Sequence, residues 1–236
     1  MVKSLKGEAL PRSDLTDHDS QNMFGIFQDY YENATPEIFH RDLNDKNWVI
    51  ILRDPESKSI QGFSTLAFYE SVVKGKTLGV VYSGDTIIRP AFWGTSELPR
   101  IWGRSVLRIG AQLPQPLYWL LISSGYKTYR FLPTFFKEFH PRYDRPTPPQ
   151  VQQIIDHLAR ERFGAQYYPE LGIVRFAEGA TPLREGIAPI TEQHLEDPHI
   201  AFFADKNPGH TQGDELVCLT RIGLGNFTAA AVSVLG

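Results

Sequence analysis

The passage from Thr77 to Phe139 constrains the fold of this chain more than any other. A β-rich segment ends at Arg89-Pro90, a short glycine-containing loop follows, and a helical stripe of apolar residues leads to a continuous apolar run from Leu117 to Ser123. Such a run is typical of a strand that is covered on both faces. The order strand, loop, helix, strand therefore predicts a βαβ crossover.

The loop of this crossover, Ala91 to Glu97, leads the first strand to the N-terminus of the helix. Backbone N–H groups at a helix N-terminus are unpaired and point outward, so they can hold a pyrophosphate without a cationic side chain. The competing interpretation is an ordinary strand-to-helix connection, because one glycine, Gly94, is weak evidence by itself. The phosphate interpretation predicts a cofactor that carries a phosphate group.

Composition and charge exclude several classes of protein. The 236 residues are 42% hydrophobic, enough for a sizeable core. A net charge of -3 and a pI near 6.2 provide no basic surface for nucleic acid. No apolar run approaches the ~20 residues of a membrane span, and the N-terminus has no apolar signal region. We expect a cytoplasmic protein, with residues 1–20 as a flexible lead-in and residues 21–236 as a single domain with a C-terminal elaboration.

The remaining elements follow from periodicity and turn residues. Two helices and a strand precede an antiparallel hairpin, in which Gln61–Val73 and Thr77–Arg89 meet at Lys74-Gly75-Lys76. After the crossover the pattern predicts two more helices and a final antiparallel hairpin: Phe131–Phe139, Val151–Phe163, and Leu216–Ile222 with Phe227–Leu235. The stretch between Gly164 and Gly213 carries no clear pattern.

This order of elements resembles the GNAT acyltransferase superfamily from Phe24 to Phe139. The segment from Ile87 to Ser96 is similar to that family's fourth strand and acyl-CoA pyrophosphate loop, in which Pro90 and Gly94 match the motif. Trp93 stands where the family usually has arginine, and Ser96 replaces the second glycine. The loop motif is therefore degenerate.

The resemblance implies an α/β fold, a GNAT-like mixed and mostly antiparallel sheet with splayed central strands flanked by helices. In the family the pantetheine arm lies between the splayed strands, here Val80–Arg89 and Leu117–Ser123. The implied donor is acyl-CoA or acetyl-CoA, with no metal. The implied cofactor-binding residues are Ile87, Ile88, Trp93, Gly94, Thr95, Ser96 and Glu97.

Acyl transfer to an amine needs a base for the ammonium and an acid for the leaving thiolate. Asp85 is the first candidate base, because it lies where the fourth strand of the family bulges; its alternative role is to bind local turn amides. Glu70 is the second candidate, with a solvent-facing hairpin position as its alternative. The family commonly uses a tyrosine as the general acid, and Phe136 stands at the position of that tyrosine. Tyr126 or Tyr129 could substitute, or either could be an amphipathic rim residue.

Other chemistries have weaker signals. His194 and His199 carry metal-capable atoms, but Pro198 interrupts the segment between them, which favours a solvated loop over a metal site. No G-x-S-x-G nucleophile elbow occurs in the sequence. The lone cysteine, Cys218, lies in an apolar run and is expected to be a buried structural thiol.

Aromatic residues crowd the proposed donor site, either as ordinary core or as a channel for an extended acyl chain. The relevant side chains are Phe92, Trp93, Trp102, Tyr118, Trp119, Phe131, Phe135, Phe136 and Phe139. The segment Tyr126–Asp144 resembles GNAT-like maturases of ribosomal lipopeptide pathways, which attach fatty acyl groups to lysine or ornithine side chains. That resemblance implies an acyl-CoA or acyl-carrier-protein donor with a fatty acyl group and a primary amine acceptor on a precursor peptide. The aromatic density beside the degenerate loop predicts that donors of roughly ten to sixteen carbons outperform acetyl-CoA. The alternatives are a short-chain acetyltransferase and a noncatalytic GNAT-like module that binds a peptide or an acyl ligand.

Overall fold

The computed structural model describes residues 4–176, 180–187 and 189–236. Eight strands form one sheet in the order β1-β2-β3-β4-β5-β8-β7-β6. The strands are β1 (Lys6–Pro11), β2 (Trp48–Arg53), β3 (Ile60–Val73), β4 (Lys76–Ile88), β5 (Leu117–Ser123), β6 (Tyr167–Tyr168), β7 (Ile173–Val174) and β8 (Glu215–Ile222). Neighbouring strands are antiparallel except β4 and β5, which are parallel.

Helices cover both faces of the sheet. They are α1 (Asp17–Tyr30), α2 (Pro36–Asn44), α3 (Glu97–Gly110), α4 (Tyr126–Tyr129), α5 (Phe131–Phe135), α6 (Pro149–Phe163), α7 (Pro198–Lys206) and α8 (Ala229–Leu235). Successive residues of a strand point to opposite faces, so Val80 packs with α6 while its neighbour Val81 packs in the cluster that contains α3. None of the helices in the described part of the chain is both long and apolar enough to cross a membrane. The mixed, mostly antiparallel sheet flanked by helices confirms the predicted fold class.

The central hairpin and the crossover are as predicted. β3 and β4 pair around a two-residue turn, Lys74-Gly75, in which both residues have positive φ, 51° and 75°. This conformation matches the right-handed twist of the strands that the turn joins. The crossover runs from β4 through α3 to the parallel strand β5.

Three predicted segments differ from the structure. Residues 6–11, which were expected to be irregular, form the edge strand β1 and pair with β2. Only long-range contacts determine this pairing. Residues 1–3 lie outside the described part.

The helix predicted over Phe131–Phe139 ends at Phe135, because Asn226 binds the backbone that follows. The Asn226 carbonyl accepts from Lys137 N at 2.8 Å, and Asn226 Oδ1 accepts from Glu138 N at 2.8 Å.

The C-terminal strand predicted over Phe227–Leu235 is instead the helix α8. The Thr228 hydroxyl caps this helix by accepting from Ala231 N at 3.2 Å, and an alanine run begins it. Val232 and Val234 gave the segment its strand-like pattern, although helix capping and packing against α3 decide its conformation.

The sheet opens between its two parallel strands. β4 and β5 pair from Gly79–Leu117 to Ser83–Leu121 and then separate. Beyond that point β4 continues against β3, while β5 continues against β8. The splayed central strands predicted from the resemblance are therefore present, and they leave an opening with β4 on one side and β5 and β8 on the other.

Candidate active site

A cavity of ≈ 1330 Å³ lies at this opening. Its walls include the separated end of β4, the end of β5, the loop after β4 and parts of α2 and α6. Ligand sites are concave, with a few polar groups placed among apolar ones. The cavity contains such groups at two places, a carboxyl cluster beside the opening and the backbone of the loop.

Asp85 reaches the cavity because β4 bulges beside it. Ser64 pairs with Thr86 and Leu66 with Ser83, so Gly84 and Asp85 together oppose the single residue Thr65. An extra residue in one strand re-aims the side chains around it. The bulge that was predicted at Asp85 is confirmed, and Asp85 lines the cavity.

The environment of Asp85 favours the protonated form of its carboxyl. Burial, followed by the nearby charge of Asp42, raises the pKa of Asp85 to about 8, although the Lys46 ammonium opposes the shift. Asp85 makes no hydrogen bond or ion pair with any described residue. A carboxyl that titrates near neutral pH is suited to proton transfer at that pH.

Glu215, the first residue of β8, is a second cavity carboxyl of the same kind. Burial, then the charges of Asp85 and Asp42, raise the pKa of Glu215 to about 8. It too lacks a hydrogen-bonding side chain or ion-pair partner among the described residues. The sequence did not indicate Glu215 as a site residue. It comes near Asp85 only because β8 pairs with β5 in the folded sheet.

Two tyrosines and an ion pair border these carboxyls. The Lys46 ammonium is buried and contacts Asp42 Oδ1 at 2.6 Å. Tyr31 and Tyr82 line the cavity, and burial raises the pKa of both well above the ordinary range. The Arg162 guanidinium lies 3.7 Å from the centroid of the Tyr82 ring. The tyrosines therefore hold their protons firmly at neutral pH.

The other predicted acid-base residues lie away from the cavity. Glu70 is exposed on the β3–β4 hairpin, where it accepts a hydrogen bond from Gln115 Nε2. Tyr126 is buried against His194, with its hydroxyl 3.3 Å from Nε2 of that ring. Tyr129 is a core residue whose hydroxyl donates to Pro141 O at 3.1 Å. None of the three lines the cavity.

The two histidines that were considered as metal ligands, His194 and His199, pack against other residues. His194 Nδ1 contacts Pro189 O at 3.1 Å, and His199 packs between Phe139 and Tyr143 at the start of α7. Within the described ranges, no three His, Cys, Asp or Glu side chains are grouped as metal ligands. Cys218 is fully buried, and burial raises the pKa of its thiol, which confirms the expected inert cysteine.

The loop after β4 presents part of the backbone that was predicted to bind phosphate. Trp93 and Thr95 donate their amides to carbonyls within the loop, and Glu97 N donates to Thr95 Oγ1 at 3.2 Å. The amides of Gly94, Ser96 and Leu98 make no hydrogen bond to a described residue. Gly94 has φ +85°, a conformation that glycine adopts without strain. Trp93, Gly94, Thr95 and Ser96 line the cavity.

The three other members of the predicted cofactor set are Glu97, Ile87 and Ile88, and two of them have partners elsewhere in the fold. The Glu97 carboxylate accepts from Gly7 N at 3.0 Å and pairs with Arg100, so it anchors β1 and does not face the cavity. Ile87 is buried in the cavity wall. The Ile88 carbonyl accepts from the Trp93 indole at 2.7 Å, which fixes the loop against β4.

A cation lies beside the loop although Trp93 stands where the resembled motif has arginine. Lys127, from α4, places its ammonium 3.2 Å from the centroid of the Trp93 ring, and it lines the same cavity. Burial lowers the pKa of Lys127. The Lys127 ammonium therefore provides a positive charge next to Trp93. Because Lys127 belongs to α4, the loop motif alone could not reveal it.

A narrower pocket of ≈ 50 Å³ continues from the cavity into the space between α3, α5 and α8. Its wall is apolar apart from a few hydroxyls. Trp102 and Trp119 both direct their indole N–H groups to Ser83 Oγ, at 3.4 and 2.9 Å. At its far side Leu235 packs against Gly103, and Arg104 donates to Leu235 O at 2.6 Å. The predicted aromatic cluster thus forms both core and pocket wall.

No family model and no curated protein matches the sequence. Among solved structures, the chain is similar to a probable N-acyltransferase of Enterococcus faecalis, with 13% identity and a TM-score of 0.43 over 58% of this chain and 33% of that one. A GNAT family N-acetyltransferase of Escherichia coli solved with CoA has 12% identity and a TM-score of 0.40 over 56% of this chain and 69% of that one. N-myristoyltransferase of Saccharomyces cerevisiae with myristoyl-CoA has 13% identity and a TM-score of 0.40 over 52% and 30%.

The matched region thus spans about a third of the E. faecalis and yeast proteins. Similarity at this level does not assign an activity to the chain. The chemistry therefore rests on the residues of the cavity.

Proposed function

We propose that the protein is an N-acyltransferase that moves an acyl group from acyl-CoA, or from an acyl-carrier protein, to a primary amine. The observation that carries this proposal is the opening between β4 and β5, with a bulge carboxyl near neutral pKa on one side and free loop amides nearby. Acyl transfer to an amine needs a proton acceptor beside the reacting nitrogen and a fixed thioester. Asp85 is the proposed base.

The donor would enter at the loop. The free amides of Gly94, Ser96 and Leu98 would bind the pyrophosphate, with the Lys127 ammonium adding a positive charge. The pantetheine arm would lie in the opening, where Ile87 forms part of the wall. Thr95 and Glu97 support the loop in this scheme and do not touch the phosphate.

The acyl group would occupy the apolar pocket. A volume of ≈ 50 Å³ has room for a few water-sized groups, since one water needs roughly 10–15 Å³ by this measure. The pocket as it stands therefore favours a short acyl group, the second candidate function. The fatty donor of roughly ten to sixteen carbons, predicted from the aromatic density, stays a prediction that requires α8 to move away from α3.

The acceptor would approach from the carboxyl side of the cavity. A primary ammonium would be attracted by Asp85 and Glu215, whose ionisation a nearby cation favours. A lysine or ornithine side chain of a peptide has this chemistry, and the cavity is large enough for the residues that flank it. A noncatalytic binding module would use the same cavity without proton transfer.

The proposal is tested by incubating the protein with acyl-CoA donors of two to sixteen carbons and Nα-acetyl-lysine amide or a lysine-containing peptide. Free thiol is measured, and mass spectrometry identifies the amide. Asp85→Asn should lower kcat by ~10²-fold or more while CoA affinity by calorimetry stays unchanged. CoA binding without thiol release from any donor would favour the noncatalytic module; no CoA binding at all would refute the assignment of the loop.

A further inference from the structure

Glu215 faces Asp85 from the opposite side of the opening. Asp85 lies on β4 after it has left β5, and Glu215 lies at the start of β8, which continues along β5 through the pair Leu216–Ser123. Both side chains line the cavity between the separated strands. A thioester placed in the opening would therefore have a carboxyl on each side.

Asp214, the residue before Glu215, makes the contacts that hold the start of β8 in place. The Asp214 carboxylate is buried and accepts from Arg175 Nε at 2.8 Å and Nη2 at 2.5 Å, while Asn207 Nδ2 donates to Asp214 O at 2.7 Å. Asp214 thus fixes the start of β8. Glu215 points to the other face of the strand and makes no side-chain hydrogen bond within the described residues.

A second polar group at the bulge is also without a partner. Thr65 is 1% exposed, and its Oγ1 has no hydrogen-bond partner among the described residues. It lies against Gly84, a cavity-lining residue, so close that a Cβ on Gly84 would be 2.5 Å from it. Thr65 therefore places an unpaired buried hydroxyl directly behind the bulge, next to cavity-lining Gly84.

We infer that Glu215 is a further catalytic residue, the general acid that protonates the leaving sulfur in place of the tyrosine that Phe136 replaces. This inference rests on the proposed acyl transfer, and it assigns Asp85 and Glu215 to opposite ends of one proton path. The cation of a bound ammonium favours ionisation of one carboxyl, which leaves the other neutral.

The steps balance. Ionised Asp85 takes a proton from the bound ammonium, and the amine lone pair then forms the C–N bond to the thioester carbonyl. The C–S electron pair leaves with sulfur, which receives the proton of neutral Glu215. Glu215 then takes the surplus proton from the new amide nitrogen, and Asp85 releases its own to solvent when the next ammonium binds.

The other groups around Glu215 are less suited to this step. Tyr31 and Tyr82 face the same space, but burial raises their pKa values far above neutral, whereas an effective acid titrates near the working pH. Asp42 is paired with Lys46, and the Arg162 guanidinium does not release a proton at neutral pH. Of these neighbours, Glu215 matches the requirement in both position and pKa.

The decisive experiment compares donors with different leaving groups. Glu215→Gln should lower kcat with acetyl-CoA by ~10²-fold, with donor KM unchanged. On an S-aryl thioacetate, whose thiolate leaves without protonation, the same variant should come within a few-fold of the wild type. Asp85→Asn should stay slow on both donors, Glu215→Asp should recover part of the rate, and Glu192→Gln, an exposed carboxyl, is the control.

An equal loss of rate on both donors would make Glu215 a structural residue and overturn the inference. The inference would also be overturned if the S-aryl donor rescued Tyr31→Phe or Tyr82→Phe and did not rescue Glu215→Gln.

A second readout is independent of activity: carboxyl-carbon NMR titration of Asp85 in the wild type and in Glu215→Gln. Loss of the Glu215 carboxyl should shift the Asp85 midpoint by at least about one pH unit, the measure of strongly interacting sites. An unchanged midpoint with an active wild type refutes the shared proton path alone. Absent acyl transfer in the wild type refutes the proposed function, and with it the role of Glu215 as the acid, even if the midpoint shifts.

Discussion

Replacing Asp85 by asparagine should stabilise the protein at neutral pH. The pKa of this carboxyl is about 8 in the folded chain, against an ordinary value of 3.8. Between those two values the unfolded chain has lost its proton while the folded chain keeps it, so stability falls as the pH rises from about 4 to about 8. Asparagine has nearly the same shape and does not ionise, so it removes this loss.

The magnitude follows from the shift. One pKa unit corresponds to about 1.4 kcal/mol, so the full effect at pH 7 has an upper bound of about 4 kcal/mol. Asp85 is only partly buried and shares its surroundings with Lys46, so we expect a gain of about 1–2 kcal/mol. Active-site groups often reduce stability in this way, and Asp85→Asn should lose acyl transfer as it gains stability.

The assay is urea denaturation of wild type and Asp85→Asn at half-unit steps from pH 4 to pH 8.5. The two stabilities should coincide near pH 4 and separate steadily up to pH 8. Asp205→Asn, an exposed aspartate on α7, is the matched control and should give a curve parallel to the wild type. A constant offset at every pH, or a wild type that is more stable than the variant at pH 8, would refute the reasoning.

The remaining predictions concern glycines and the pocket wall. Gly94→Pro should weaken CoA binding at least ~10-fold, because it removes a free amide. Gly94→Ala keeps the N–H and should weaken CoA binding less. Equal CoA affinities of the proline variant and the wild type by calorimetry would contradict the loop assignment. Gly84→Ala should destabilise the protein by about 1–3 kcal/mol, since its Cβ would be 2.5 Å from Lys46 Cε, and an unchanged urea midpoint would count against the packing described. Leu235→Ala should shift the preferred donor towards longer chains, whereas a preference in kcat/KM that stays at acetyl-CoA would make this wall irrelevant to donor choice.

The sequence predicted those parts of the fold that local patterns determine. The apolar run of β5, the stripe of α3 and the turn at Gly75 each follow from spacing within one segment. The bulge at Asp85 followed from a resemblance centred on the same short passage. The helix over Phe131–Phe139 failed because its backbone is bound by Asn226, nearly ninety positions away, and no local pattern contains that contact.

The candidate site was only half predictable for the same reason. Asp85 and the loop amides lie in one continuous passage, whereas Glu215 and Asp42 come from distant segments that the sheet order brings together. Tyr129 illustrates the opposite error. A tyrosine beside an expected site suggests an acid, but only the folded chain reveals that its hydroxyl donates to Pro141 O inside the core.

Charge pairing divides the carboxyls of the cavity into two groups, those with a cationic partner and those without one. Asp42 is matched by the buried Lys46 and Asp45 by Arg162, so their charges are balanced in the folded state. Asp85 and Glu215 have no such partner among the described residues, and burial without a partner is costly for a charged carboxyl. A protein that needed only a stable core would gain by replacing both with neutral residues. Their position on either side of the β4–β5 opening instead fits a site whose missing positive charge arrives with the substrate amine.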